Sequence, residues 1–309
     1  MQSAEPNRTK PRILITGASG FVGRQTLAPL QMLGFDVHAL SRGSFVEGID
    51  VTWHACNLFD YIKVKELCAS LKPTHLLHCA WVTEHRKFWD SPENELWLKA
   101  SINLFETFAQ AGGCHIIGIG SCAEYSWNRH DSIPWKETDV CLPHFPYGQA
   151  KLSLALWLKE FAPSQGIRYA WARLFLLFGK GENPDRILPY LILSALKKRR
   201  AHCSSGTEVR DFLDTETCGK VLAEIAASDM EGVINVASGK GISIRTLSET
   251  IARLLKTDMD CEFGMRPDTS GSPDFMVADI TKLRNNCHLI DDFDSEQAID
   301  RLLPYWGKK

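Results

Sequence analysis

The sequence predicts an α/β protein in which a doubly wound parallel sheet is followed by a smaller mixed α/β lobe. Short apolar runs rich in Val, Ile and Leu alternate with segments of helical periodicity over the first part of the chain. This alternation is typical of parallel sheets, because each crossover between parallel strands needs a helix and places it on a face of the sheet. After Gly179 the alternation becomes irregular, and we expect the smaller lobe there.

The individual elements follow from these periods. Strands are expected before Gly179 at residues 13–15, 37–40, 51–56, 75–80, 115–119 and 169–178. The first helix is expected to end at Gly34, as a C-cap, and further helices occupy residues 61–71, 93–111 and 147–161. The later part predicts strands at 210–213 and 232–236, and helices at 187–200, 217–227, 247–255 and 296–303.

A glycine-rich turn, Thr16-Gly17-Ala18-Ser19-Gly20-Phe21-Val22-Gly23, directly follows the first apolar strand. Gly17 would let the chain turn sharply, Gly20 would let backbone N–H groups approach a pyrophosphate, and Gly23 would let the helix pack closely on the strand. Strand, glycine turn and amphipathic helix in succession indicate a Rossmann-type dinucleotide-binding unit. We expect a cofactor-binding domain at 11–178 with 211–237, and a substrate lobe at 179–210 with 238–309.

Composition excludes several function classes. The 309 residues are 44% hydrophobic and 23% charged with a net charge of -2, and the one basic run is Lys197-Lys198-Arg199-Arg200, so nucleic acid is not an expected partner. The ten cysteines form no Cys-x-x-Cys pair and the ten histidines have no metal-ligand spacing, so no metal is expected. The polar start and the lack of a long apolar stretch predict a cytoplasmic protein with reduced thiols and no membrane partner.

Three residues suggest proton-transfer chemistry. Tyr147 and Lys151 are four residues apart, so on a helix their side chains share one face. An adjacent ammonium favours the phenolate and so lowers the pKa of a tyrosine toward neutral pH, although an exposed Tyr and Lys at the start of a helix would show the same spacing. Ser121 follows the fifth strand, and ligands of open α/β sheets bind at the carboxyl ends of strands.

Glycine turn, Ser121 and Tyr147-x-x-x-Lys151, in this order, resemble the short-chain dehydrogenase/reductase superfamily. The length and later landmarks resemble its extended branch, the nucleotide-sugar epimerases, dehydratases and reductases. These landmarks, which span roughly residues 11 to 305, are His78-Cys79-Ala80, Asn103, Arg173 through Gly179, Arg210-Asp211-Phe212, Asn235-Val236-Ala237-Ser238-Gly239 and Arg266-Pro267-Asp268.

The resemblance implies a role for each matching residue. Tyr147 would be the general acid/base, Lys151 would tune it and bind the cofactor ribose, and Ser121 would donate a hydrogen bond to the substrate oxygen. Arg210 would meet the diphosphate of a nucleotide sugar, for which a guanidinium is suited, unless it forms a structural ion pair. Cofactor contacts are implied for Gly17, Ser19, Gly20, Phe21, Val22, Gly23, Ser41, Arg42, Asn57, Leu58, Cys79, Ala80, Trp81, Tyr147 and Lys151. Substrate contacts are expected for Ser121, Trp81 and Arg210.

The end of the second strand bears on the cofactor. Members of the family that prefer NAD carry an acidic residue there, whereas this chain has Leu40-Ser41-Arg42. A carboxylate would repel the 2′-phosphate and a Ser-Arg pair would bind it, so we predict NADP(H) over NAD(H), unless Arg42 simply points to solvent.

Two further departures narrow the reaction. The 4,6-dehydratases of the branch follow the hydroxyl residue with Asp-Glu, where this chain has Cys122 and Ala123, so dehydration by that route is excluded. Glu124 lies one step further and is expected to point elsewhere. Leu176 replaces an asparagine that contacts the sugar phosphates in many relatives, so sugar-nucleotide recognition must differ in detail.

The loop after the fourth strand is rich in aromatic residues. Trp81, Phe88 and Trp89 could form an apolar wall for a deoxysugar ring, or they could pack under the long helix at 93–111. The neighbouring polar residues Glu84, His85 and Arg86 could read hydroxyl groups, and His85 is given no catalytic role.

These observations predict an NADPH-dependent reductase of a keto group, at C4, on a nucleotide-linked deoxyhexose. The alternatives are an epimerase that retains its cofactor, a reductase of a non-sugar carbonyl, and a nucleotide-sensing module without catalysis. The helices at 93–111 and 147–161 are apolar on more than one face, and in relatives such helices pair across a two-fold axis, so we expect a homodimer.

Overall fold

The computed structural model describes residues 10–43, 45–46, 48–82, 84–85, 87–265 and 273–308. The strands are β1 (Arg12–Thr16), β2 (Asp36–Ser41), β3 (Thr52–Ala55), β4 (His75–His78), β5 (His115–Ser121), β6 (Arg168–Leu174), β7 (Leu176–Phe178), β8 (Ala201–His202), β9 (Val209–Asp214), β10 (Gly232–Val236), β11 (Gly241–Ser243), β12 (Cys261–Glu262) and β13 (Phe275–Met276). The helices are α1 (Leu27–Met32), α2 (Tyr61–Leu71), α3 (Glu93–Gln110), α4 (Pro146–Ser164), α5 (Ile187–Leu196), α6 (Thr215–Ala227), α7 (Ile244–Leu255), α8 (Thr281–Arg284) and α9 (Ser295–Gly307).

The large sheet has the strand order β10-β6-β5-β4-β1-β2-β3, and all of its pairings are parallel. The chain winds outward from β1 to β3, returns to β4 on the other side of β1, and continues to β6. The direction of winding therefore changes between β1 and β4, and the carboxyl ends of these two strands flank the crevice in which doubly wound sheets bind ligands. This architecture confirms the predicted fold class.

The hydrophobic core lies on both faces of the large sheet. In β1, Leu14 packs with the helices α2, α3 and α4, whereas Ile13 and Ile15 pack with α1 and α6 on the opposite face. All three side chains are fully buried. Because successive side chains of a strand point to opposite faces, a strand covered on both sides must be apolar throughout, as this run is.

A second, four-stranded sheet contains β11, β9 and β13, and β7 pairs with β9. The predicted strand at 169–178 is therefore wrong as one element: the chain bends at Phe175, and β7 leaves the large sheet. The predicted strand at 210–213 forms as β9, also in this second sheet. Periodicity could not reveal the bend, because the run is apolar on both sides of it and contains no glycine or proline.

Most predicted helix bounds agree with the structure to within a few residues. The exception is 187–200, which ends at Leu196, because Lys198 adopts a left-handed conformation with φ of 50° and the basic run follows the helix. No helix among the described residues is long and apolar enough to span a membrane. The division into a cofactor domain and a substrate lobe remains a prediction.

Three histidines of the large sheet are held in their neutral form. Burial lowers the pKa of His75 to about 4 and that of His78 and His115 to about 3. Both ring nitrogens of His115 are buried without a hydrogen-bond partner in the described part of the chain. In the unfolded chain these histidines bind protons below their ordinary pKa of about 6.5. In the folded protein they stay neutral until the pH approaches their lowered pKa values. The contribution of these histidines to the free energy of unfolding is therefore complete above pH 6.5 and is lost as the pH falls toward 3.

We expect His115→Leu to raise the free energy of unfolding, by roughly 1 kcal/mol at pH 7, because it replaces unpaired buried polar atoms with an apolar group of similar volume. At pH 4.5 the gain over the original protein should be larger, since the variant has one acid-sensitive site fewer. Urea unfolding at both pH values measures this. His130→Leu, at an exposed position, is the control and should change neither value. An equal effect of both substitutions at pH 4.5 would contradict the assignment.

Candidate active site

The glycine turn closes tightly over the crevice between β1 and β4. Gly17 has a φ of 65°, and a Cβ atom at this position would lie 2.8 Å from the backbone nitrogen of Ala80. A Cβ at Gly23 would lie 2.3 Å from the carbonyl oxygen of Gly17. Glycine is therefore required at both positions for the turn to approach the end of β4 and for the chain to fold back on itself. Gly20 is exposed, so its backbone is accessible to a ligand.

A buried hydrogen-bond chain ties the ends of β1 and β4 to α3. The Nδ1 atom of His78 is 2.7 Å from Thr16 Oγ1, and its Nε2 atom is 2.8 Å from Ser101 Oγ. The backbone nitrogens of Cys79 and Ala80 donate to the carbonyl and hydroxyl oxygens of Thr16, respectively. The predicted cofactor residues Cys79 and Ala80 are thereby held rigidly beside the glycine turn.

Four of the predicted cofactor contacts, Ser41, Arg42, Asn57 and Leu58, lie at the carboxyl ends of β2 and β3. Ser41 is buried, and its Oγ accepts a hydrogen bond of 3.1 Å from the backbone nitrogen of Gly43. Arg42 is exposed. Asn57 is also exposed and its Oδ1 accepts from the backbone nitrogen of Phe59, whereas Leu58 is buried. These four residues and the remaining predicted contacts of the turn, Ser19, Phe21 and Val22, border one edge of the sheet.

The structure brings the three candidate catalytic residues together. Ser121 ends β5 and caps the short 3-10 turn of residues 122–124, which faces the start of α4. A Cβ at Gly148 would lie 2.3 Å from the carbonyl oxygen of Ala123, so glycine lets α4 rest directly on this turn. Tyr147 and Lys151 lie in the first turns of α4, and the Ser121 side chain is close enough to the Tyr147 phenol to act on its pKa.

Burial shifts the pKa values of both Lys151 and Tyr147. Lys151 is 3% exposed, and its Nζ donates a 2.9 Å hydrogen bond to the carbonyl oxygen of Ile119. The same Nζ lies 3.7 Å from the centre of the Trp81 ring, in a cation–π contact. Burial lowers the pKa of Lys151 to about 7 and raises that of Tyr147 above its ordinary value. The expected lowering of the Tyr147 pKa toward neutral pH is therefore not seen in the absence of a ligand, because burial outweighs it; the phenol is protonated at neutral pH and lies near a lysine whose own pKa is about 7.

The aromatic loop after β4 packs against Tyr147. The rings of Phe88 and Trp89 meet the Tyr147 ring edge-on, with centroids at 4.8 and 5.6 Å. Trp127 and Phe145 extend the cluster, at 5.8 and 5.3 Å from Trp89. Phe88 and Trp89 thus form a wall beside Tyr147 and do not lie under α3.

Trp81 joins the loop to the helix. Its Nε1 donates a 2.9 Å hydrogen bond to Asn94 Oδ1 on α3, while its ring face contacts the Lys151 ammonium. Of the neighbouring polar residues, Glu84 pairs with Lys87, and Arg86 lies outside the described residues.

Arg210 extends from β9 toward the turn after Ser121. Its Nη1 donates to the carbonyl oxygens of Val209, Pro273 and Asp274, at 3.0, 2.9 and 3.3 Å. Its positive charge partly opposes the effect of burial, which raises the pKa of the Cys122 thiol. Arg210 is thus held by backbone carbonyls near the catalytic group.

Other landmarks have structural roles. Asp211, fully buried, accepts hydrogen bonds from the backbone nitrogens of Ser238, Gly239 and Ala278. Asn235 accepts from the Tyr125 hydroxyl at 2.7 Å. Residues 266–268 lie outside the described residues, and no group of three or more potential metal ligands occurs among those that are described.

Sequence reasoning missed the role of Glu124. It points into the core, where it is fully buried, and its Oε1 accepts a 2.7 Å hydrogen bond from the backbone nitrogen of Ser121. Its partner is Arg173 of β6, at 3.0 Å. A carboxylate that is buried in the core needs a positively charged partner, but the sequence does not identify which side chain provides that charge. Arg186, whose charge acts on Tyr147, was also missed.

The chain is similar in sequence and fold to several known proteins. The chain is 26% identical over 248 residues to a dTDP-6-deoxy-L-talose 4-dehydrogenase (NAD(+)) of Aggregatibacter actinomycetemcomitans, covering 77% of this chain and 88% of that protein. It is 23% identical over 305 residues to a UDP-glucose 4-epimerase of Lactobacillus helveticus, covering 88% and 90%. The structure of the Thermus thermophilus UDP-glucose 4-epimerase in complex with NAD superposes with a TM-score of 0.84 at 20% identity, covering 96% of this chain and 98% of that one.

A family model described as the NAD-dependent epimerase/dehydratase family matches residues 13–237, which is well over half of the chain. The matched region contains the glycine turn, Ser121, Tyr147, Lys151 and Arg210. The chain therefore belongs to the NAD-dependent epimerase/dehydratase family of NAD(P)-dependent enzymes, as its resemblance to the extended short-chain dehydrogenases predicted.

Proposed function

We propose that this enzyme uses NADPH to reduce the C4 keto group of a nucleotide-linked deoxyhexose. The observation that carries the proposal is the convergence of Ser121, a protonated Tyr147 and the buried Lys151 ammonium at the carboxyl end of β5. When bound, the nicotinamide supplies hydride to the carbonyl carbon. Tyr147 then gives its proton to the oxygen of the nascent alkoxide, and the Ser121 hydroxyl donates a hydrogen bond to the same oxygen.

The residues around the crevice fit such a cofactor. Gly17 and Gly23 make room for the close turn, and the exposed Gly20 has no side chain that would keep a phosphate away from it. Lys151, held by Ile119 and Trp81, would bind the ribose hydroxyls. Asn57 and Leu58 would border the adenine, and the exposed Arg42 would bind a 2′-phosphate.

A deoxyhexose fits the surroundings of Tyr147. Phe88, Trp89, Trp127 and Phe145 present apolar ring surfaces, which suit the methyl group and C–H face of a deoxysugar. Arg210 would bind the diphosphate. The similarity to the talose dehydrogenase supports this substrate class, because oxidation at C4 of a nucleotide-linked 6-deoxyhexose is the reverse of the proposed reduction.

An epimerase that retains its cofactor is the second candidate, favoured by the similarity to UDP-glucose 4-epimerases. It would use Ser121, Tyr147 and Lys151 in the same way, so these residues do not separate the two reactions. Arg42 favours the reductase, because NADPH exchanges with a reduced cellular pool whereas epimerases of this kind retain NAD.

We expect Tyr147→Phe to lower kcat about 1,000-fold for NADPH oxidation with a 4-keto-6-deoxyhexose nucleotide, because the variant has no proton to give the alkoxide. Absorbance at 340 nm follows the reaction. Tyr169→Phe, on β6, is the control and should retain its activity. Full turnover by Tyr147→Phe would refute the mechanism, and an inverted sugar without loss of absorbance would favour the epimerase.

Cofactor choice can be tested separately. We expect NADPH to bind more tightly than NADH, and Arg42→Ala to weaken NADPH binding about tenfold while leaving NADH unchanged, because only NADPH carries the 2′-phosphate. Calorimetric titration measures both Kd values, with the exposed Arg199→Ala as control. Tighter binding of NADH by the original protein would overturn the preference.

We also propose a homodimer formed through α3 and α4. Leu96 and Leu156 are 53% and 54% exposed on these helices, which pack side by side. Leu156→Glu should shift the sedimentation coefficient from a dimer to a monomer, because a charge in a paired apolar face is costly. Met32→Glu, an exposed apolar position on α1, should leave the dimer intact. A monomeric original protein would refute the proposal.

A further inference from the structure

The buried carboxylate of Glu124 links the end of β5 to β6. Its Oε1 accepts hydrogen bonds from the Ser121 backbone nitrogen, at 2.7 Å, and from Trp171 Nε1, at 3.0 Å. Its Oε2 accepts from Arg173 Nε, at 3.0 Å. Glu124 is fully buried and Arg173 is 2% exposed, so the pair has no access to water. Such a pair is rarely retained for stability alone, because desolvation offsets most of its attraction.

The turn that Glu124 holds sets the position of α4. Ser121 Oγ accepts a hydrogen bond from the Ala123 backbone nitrogen, which completes a reciprocal capping box with Glu124. The carbonyl oxygen of Ala123 is the atom against which Gly148 packs, directly after Tyr147. The distance between the Ser121 hydroxyl and the Tyr147 phenol therefore depends on the geometry of this turn.

Space for the carboxylate is provided in β5. A Cβ at Gly120 would lie 2.5 Å from Glu124 Oε1 and 2.2 Å from Trp171 Nε1. Gly120 is flanked by Ile119, whose carbonyl binds the Lys151 ammonium, and by Ser121. The glycine thus lets a buried carboxylate approach the stretch of strand that holds both catalytic groups.

The charge of Glu124 acts on the catalytic pair. It raises the pKa of both Lys151 and Tyr147, and in Lys151 it opposes the larger effect of burial. The other titratable or charged side chains that face these three residues are His78, Cys79, Cys122, Tyr125, Cys141, Arg173 and Arg186. Among them Cys79 is held as a neutral thiol, because burial raises its pKa to about 12.

We propose that Glu124 is a positioning residue of the active site: it fixes the turn that sets Ser121 against Tyr147, and it places a negative charge beside the stretch of β5 that holds the Lys151 ammonium. This inference rests on the proposed function only in naming these three residues as catalytic. A neutral lysine would remove the positive charge that favours the phenolate, so the loss of Glu124 should lower activity most at alkaline pH.

The direct test is a titration of Lys151 by NMR, in protein labelled with 13C at the lysine side chains and without substrate. Lys151→Met identifies the resonance. We expect Glu124→Gln to lower the pKa of Lys151 by about one unit, which is a tenfold fall in the ratio of ammonium to amine at pH 7. Glu137→Gln is the matched control, because Glu137 likewise accepts a hydrogen bond from a backbone nitrogen, that of Asn235, at 2.9 Å. It should leave Lys151 unchanged.

Glu124→Gln leaves Arg173 unpaired in the core and could fail to fold. The double variant Glu124→Gln/Arg173→Met removes both charges and should show the same fall in the pKa of Lys151. Glu124→Asp retains the charge and should keep the pKa close to its original value, while kcat falls because the shorter side chain no longer reaches Ser121.

With a keto-sugar nucleotide, the alkaline limb of the kcat profile should move to lower pH in Glu124→Gln and in the double variant, but not in Glu137→Gln. A folded variant without Glu124 that keeps both the original pKa of Lys151 and the original kcat profile would overturn the inference. A shifted NMR titration in a protein that reduces no keto sugar would support the inference and refute the proposed function instead.

Discussion

The buried ammonium of Lys151 is the constraint on which the rest of the active site depends. An unpaired charge in a protein interior costs several kcal/mol, so the surrounding structure must supply partners. Here they come from three directions: the Ile119 carbonyl of β5, the face of Trp81 from the loop after β4, and the charge of Glu124 from the turn after β5. Because each partner belongs to a different segment, these contacts hold the three segments together around Tyr147.

The large sheet explains why these elements meet. Parallel strands end at the same edge, so the residues after β1, β4 and β5 lie side by side although they are far apart in sequence. The second sheet contributes a residue from outside the doubly wound sheet, Arg210 of β9. Because β7 leaves the large sheet to pair with β9, Arg210 reaches the turn after Ser121 from the far side of the crevice.

The family is shared by epimerases, dehydrogenases and reductases, and the fold does not distinguish among them. The distinction must come from groups that the catalytic residues do not include. In the proposed reductase we assign this distinction to Arg42 at the end of β2, the aromatic cluster around Trp89, and Cys122 and Ala123 where dehydratases have acids. Rings of the aromatic cluster contact Tyr147, so in the proposed reaction substrate selection and proton transfer share one surface.

The sequence by itself determined the sheet, the glycine turn and the choice of Ser121, Tyr147 and Lys151 as candidate catalytic residues, because local patterns encode them. Apolar runs predict strands that are buried on both faces, and glycines predict turns in which a Cβ atom would clash. The spacing of Tyr147 and Lys151 predicts that both side chains lie on one face of a helix. Only the tertiary structure decided the bend at Phe175, the pairing of Glu124 with Arg173 and the contact of Trp81 with Lys151. These depend on residues that are distant in the chain, and a buried charge carries no mark in the sequence of the partner that will neutralise it.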